Sequence, residues 1–159
     1  MSQPVLNRTL VLTAFEFVRP KIEAALAELK QGSSLVLVVS AIETINPRDG
    51  RSFEESCYLI HEFGDPSKND DPIRDIALSK TEISVRTGKA TRDVRPQELL
   101  AGETLKIGSV VVTGVVVGAS GTKGVIDEMI SGWVAYAIQM YCELEVAAMR
   151  DREANFVGE

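Results

Sequence analysis

The chain has 159 residues, 45% of them apolar and 25% charged, with a formal net charge of −6. A chain of this length buries about two-thirds of its unfolded surface in a single core, without help from a metal or a crosslink. Its apolar share excludes a disordered chain and its interrupted apolar runs exclude a membrane span. The acidic balance excludes a general nucleic-acid binder, which needs clustered cations against phosphate.

The two cysteines, Cys57 and Cys142, lack C-x-x-C spacing and read as buried free thiols. One histidine, His61, rules out a multi-histidine metal site, so no metal is expected. Residues Met1 to Thr9 show no basic region followed by an apolar stretch, and the expected location is cytoplasmic.

Arg8 to Leu12 reads as an extended lead-in, and Thr13 to Glu16 has the Thr-x-x-Glu spacing that opens a helix. Apolar residues at Phe15, Val18, Ile22, Ala25, Leu26 and Leu29 carry that helix to Gly32, with Pro20 either kinking it or standing in its first regular turn. Leu35 to Ala41 is a continuous aliphatic run, expected as a central strand covered on both faces. Asn46 to Gly50 is turn chemistry, after which Ser52 to Phe63 is expected to return antiparallel. In that strand His61 would lie on one face with Cys57, Leu59 and Phe63, packed or hydrogen-bonded, or else acting as a ligand.

Gly64 to Pro72 is a polar loop whose Asp71-Pro72 end suits an N-cap followed by proline in the first helical turn. The helix expected over Ile73 to Thr87 stops at Gly88, with Lys80 and Arg86 reaching outward or toward a cleft. The cations Lys80, Arg86, Lys89, Arg92 and Arg95 read either as a solvated face or, for Lys80 and Arg86, as the flank of a pocket for an acidic ligand. A short helix from Pro96 to Ala101 follows. Strands are then expected at Leu105 to Ile107 and Val110 to Val117, joined by a hairpin turn at Gly108-Ser109.

Gly118 to Gly124 links the second of these strands to a long helix, Val125 to about Arg150. The glycines match neither G-x-G-x-x-G nor a P-loop, which leaves a plain strand-to-helix turn or a turn binding a small anion through Gly121, Thr122 and Lys123. Asp127 and Glu128 favour the positive end of the helix. Adjacent helical positions point about 100° apart, so the two cannot converge as a pair, although one can face a cleft. Apolar residues cover more of the last helix than one stripe, which implies a second copy packed on it. No repeat or linker divides the chain, so residues 1–159 are one domain, with 1–8 and 151–159 as loosely held termini.

Two blocks resemble a known family. Asp75-Ile-Ala-Leu-Ser-Lys-Thr-Glu-Ile-Ser-Val-Arg-Thr-Gly-Lys-Ala90, and then Gly108-Ser-Val-Val-Val-Thr-Gly-Val-Val-Val-Gly-Ala-Ser-Gly121 with Asp127-Glu128, resemble the GlcG/HbpS family, which includes the PduO C-terminal domain. The resemblance implies an α+β, profilin-like fold: a five-stranded antiparallel sheet flanked by helices, assembled into homo-oligomers. It also implies heme or corrinoid binding and catabolic gene clusters, with His61 as the one histidine available to a heme.

The leading expectation is a homo-oligomeric binding protein whose pocket takes a small organic anion or tetrapyrrole. Gly121 and Thr122 would supply N–H groups, with Lys80, Lys123 and Arg86 as counter-charges. A second reading is a metal-independent enzyme of proton-transfer chemistry, an isomerase, hydratase or deaminase, with Asp127 or Glu128 as acid or base and Lys80 as electrophilic stabiliser. A third is an accessory or structural subunit.

Overall fold

The computed structural model describes residues 4–29, 34–152 and 155–157. The expected helix end at Gly32 and the outermost residues of both termini lie outside these.

The aliphatic runs set the centre of the fold. β1 (Leu35–Ala41) and β4 (Val115–Ser120) are buried at every position, because apolar or small side chains leave neither face suited to water. They pair with each other, and β2 (Leu59–Phe63) and β3 (Ser109–Val112) pair on their outer sides, giving the antiparallel order β2-β1-β4-β3. Leu35, Leu37 and Val39 of β1, with Val115, Val117 and Ala119 of β4, join the core under α1 (Arg8–Glu28) and α4 (Gly124–Asp151). The alternate residues Val36, Val38 and Val116 form a second core with Ile73, Ala77 and Val85 of α3 (Ile73–Thr87). The sheet is thus covered by two helices on one face and one on the other. Among the described residues no helix is long and apolar enough to cross a membrane.

The α+β class and the long last helix are as expected, but the described sheet has four strands, not five. Leu105 to Ile107 is not a strand. Leu105 is 86% exposed, and the backbone there is tied to side chains: Thr104 N donates to Ser79 Oγ and Lys106 N to Thr104 Oγ1. The hairpin lies inside the valine run instead of at Gly108-Ser109. Thr113 and Gly114 take φ of 46° and 87°, the two positive values a tight hairpin needs, and divide Val110 to Val117 into β3 and β4. A Cβ at Gly114 would also come within 2.5 Å of Ile45 Cδ1.

Other boundaries shift for local reasons. α1 opens at Arg8, not Thr13, because Asn7 Oδ1 accepts from Leu10 N at 2.9 Å and the apolar stripe extends back to Val11. Pro20 stands inside that helix, on its exposed side, where water can serve the carbonyl that lacks a donor. Only Leu59 to Phe63 of the expected return strand pairs with β1. Ser52 and Glu55 close a capping box that winds Phe53–Ser56 into one helical turn, α2. Pro72, not Asp71, is the N-cap of α3, and Asp71 is turned to Lys106 instead. Pro96 to Glu98 forms one 3-10 turn, shorter than the expected helix. The last helix begins at Gly124, with Gly118 and Ala119 inside β4.

Candidate functional site

On α3 the residues Ile73, Ala77, Lys80, Thr81 and Ser84 follow helical spacing and share the buried face. Lys80 is therefore directed inward and is 1% exposed. Its Nζ donates to the Ala119 carbonyl at 2.8 Å and to Asp127 Oδ2 at 3.1 Å. Asp127, in the first turn of α4, is equally buried, and its Oδ1 accepts from both the backbone N and the hydroxyl of Thr122. Gly108 makes room for this meeting. At φ 147°, a Cβ there would lie 2.6 Å from Lys80 Nζ and 2.7 Å from the Ala119 oxygen.

Burial outweighs attraction in this pair. Loss of water pulls the Lys80 ammonium below its usual range even though Asp127 holds it up, and the same loss pushes the Asp127 carboxyl up against Lys80 and Thr122. The proton of Lys80 is therefore held less firmly than in water.

Above the pair opens a cleft of about 440 Å³, lined among others by Asp71, Lys106, Ile107, Ser120, Gly121 and Thr122, with Lys80 and Asp127 at its base. Lys106 Nζ reaches Asp71 Oδ2 at 2.6 Å across its rim. Lys80, Gly121, Thr122 and Asp127 are thus brought together. The Thr122 N–H, expected to face an anion, is used by Asp127.

The remaining predicted residues lie elsewhere. Lys123 is the exposed N-cap of α4, Arg86 is exposed and paired with Glu103, and Glu128 turns to Arg92. His61 packs on the α1 face between Phe15 and Phe63, with ring centroids 4.8 and 4.6 Å away. Among the described residues no histidine, cysteine, methionine or tyrosine, the common axial ligands of heme, lines the cleft.

A buried hydroxyl network supports the site from behind. Thr91 Oγ1 accepts from Gly108 N and Ser109 N, Ser109 Oγ donates to the Lys80 carbonyl, and Ser131 Oγ donates to the Gly108 carbonyl. These groups hold the Gly108 backbone against Lys80 and Asp127. Sequence reading missed them, since isolated Ser and Thr carry no periodic signal.

Fold and site together define an α+β protein with an antiparallel sheet, a long C-terminal helix and a buried Lys–Asp pair under the β4–α4 turn. No family model and no curated protein matches the sequence. Solved structures share the fold, among them two at low sequence identity. One is the Klebsiella pneumoniae protein ORFY, of family DUF336, at 16% identity over 80% of this chain and 89% of that chain, with a TM-score of 0.53. The other is the Ybr137w protein, at 14% identity over 86% of this chain and 80% of that chain, with a TM-score of 0.57. The fold is the GlcG-like one that the sequence blocks resemble.

Proposed function

We propose that the chain is a cytoplasmic, homo-oligomeric binding protein that takes a small organic acid into the cleft over Lys80 and Asp127. The observation that carries this reading is a lysine ammonium, 1% exposed, at the floor of an open cleft. A buried cation is costly unless something answers its charge. Asp127 does so from one side, and an acidic ligand would add a second partner. Lys106 at the rim and the start of α4 offset part of the charge of Asp70, Asp71 and Asp127, which line the same cleft, so an acidic ligand must displace Asp71 from Lys106 to bind.

The free thiols Cys57 and Cys142 agree with a reducing compartment. The exposed side chains Phe17, Tyr136, Met140 and Leu144 on α1 and α4 support self-association. A thermal-shift panel of dicarboxylates and oxoacids tests the binding reading. At least one is expected to raise Tm in the wild type and to lose that effect in Lys106→Glu; no shift with any member overturns it.

The proton-transfer reading is favoured by one observation, the burial of Asp127 with its carboxyl pushed above the usual range. Deuterium uptake at a carbon next to the carbonyl of a bound oxoacid, lost in Asp127→Asn, would support it. Absence of uptake in the wild type would remove it.

A further inference from the structure

We propose that Lys80 condenses through its Nζ with the carbonyl carbon of a short 2-oxo acid held in the cleft, forming an iminium and releasing water, with Asp127 moving the protons. This deepens the organic-acid reading and rests on it.

The geometry argues for it in three ways. Lys80 is among the residues that line the cleft, and its side chain is withdrawn from bulk water. Its acceptors are two, the Ala119 carbonyl and Asp127 Oδ2. A neutral amine donating to both keeps its lone pair on the remaining tetrahedral position. A carboxyl group stands 3.1 Å from the nitrogen, within reach of the carbinolamine oxygen that must leave. Burial also lowers the affinity of Lys80 for its proton, which favours the nucleophilic form. The acid group of the ligand is answered by Lys106, which would exchange Asp71 for it.

The step balances without a redox partner. Asp127 takes one ammonium proton, and the freed nitrogen lone pair forms the C–N bond while the carbonyl π electrons pass to oxygen. That oxygen takes the proton from Asp127. Nitrogen then returns a second proton to Asp127, which delivers it to the hydroxyl. Water departs and the C=N bond forms. An ammonium and a ketone have become an iminium and water, and Asp127 ends as a carboxylate.

Trapping with cyanoborohydride in the presence of pyruvate, followed by peptide mass spectrometry, tests this, with lactate as the non-condensing control. The expected result is one reduced pyruvate adduct on the Lys80 peptide, absent with lactate and absent in Lys80→Gln. Asp127→Asn, with folding checked by circular dichroism, should slow trapping by roughly a hundredfold. Thermal stabilisation by both acids without an adduct on Lys80 overturns the imine and leaves the binding reading standing. An adduct spread evenly over Lys68, Lys89 and Lys123 also overturns it. Neither stabilisation nor adduct removes both.

Discussion

Lys80 Nζ and Asp127 Oδ2 meet at 3.1 Å from the inner faces of two helices, with side chains 1% and 2% exposed. A pair so enclosed makes each member depend on the other. Removing one leaves a buried charge without its opposite charge, held only by neutral hydrogen bonds to Ala119 or Thr122, a loss of roughly 3–5 kcal/mol. Lys80→Met and Asp127→Asn are each expected to lower unfolding stability at pH 7 by about that amount in urea titrations. The double variant should cost clearly less than the sum, because no isolated charge is left. Strict additivity would show that the two residues are independent.

The aromatic contacts of His61 make a second prediction. Burial, with the nearby Arg19 charge, holds its imidazolium below the ordinary value of 6.5. The folded protein then binds that proton more weakly than the unfolded chain. The contribution to stability is fully present above pH 6.5 and is lost as pH falls through the lower folded value. As the one histidine, it gives one pair of imidazole C–H resonances by NMR, which titrate together with an expected midpoint below 6.5. His61→Phe should keep the packing with Phe15 and Phe63 and flatten stability over that acid interval. A midpoint at or above 6.5 would contradict this account.

Thr91 supplies a third. Its hydroxyl oxygen accepts from Gly108 N at 3.0 Å and Ser109 N at 3.1 Å, both buried. Thr91→Val keeps the shape and strands two amides, at a cost of about 2–6 kcal/mol in total. Amide exchange at Gly108 and Ser109 should accelerate with it, and Thr91→Ser should restore protection. Unchanged exchange in the valine variant would mean that these amides have another acceptor.

What could be read from the sequence follows from where the signal is periodic. β1 and α4 are long, uniform patterns, and both elements stand within a residue or so of where the residues place them. The valine run misleads because apolar residues fill both sides of Thr113-Gly114, so a two-residue turn leaves no break in hydropathy. Lys80 is legible as a site residue but not as a buried one, since a charge on a helix usually faces water. Only the small and apolar neighbours Ala77, Thr81 and Ser84 mark that face as inward. Asp127 announces itself as a helix-start acid. Its burial depends on Gly108, which lies far from it in sequence, and on the Thr91 network behind that glycine.

The outer faces of α1 and α4 provide the last prediction. Phe17 is 64% exposed and Tyr136 68%, and they border a shallow apolar groove that also contains Lys21, Trp133, Ala137 and Met140. Lys21 Nζ lies 4.4 Å from the Trp133 ring centroid, which keeps that ring in place while leaving the groove open. A contiguous surface of this kind is costly in water and is relieved when a second copy covers it. Tyr136→Glu and Phe17→Glu place charge in the groove without touching the buried residues Val134, Ala135 and Ile138 beneath α4. Light scattering coupled to size exclusion should show a multiple of the 17.3 kDa chain for the wild type and a lower mass for each variant, at unchanged helical circular dichroism. A wild-type mass equal to one chain at micromolar concentration would refute the assembly.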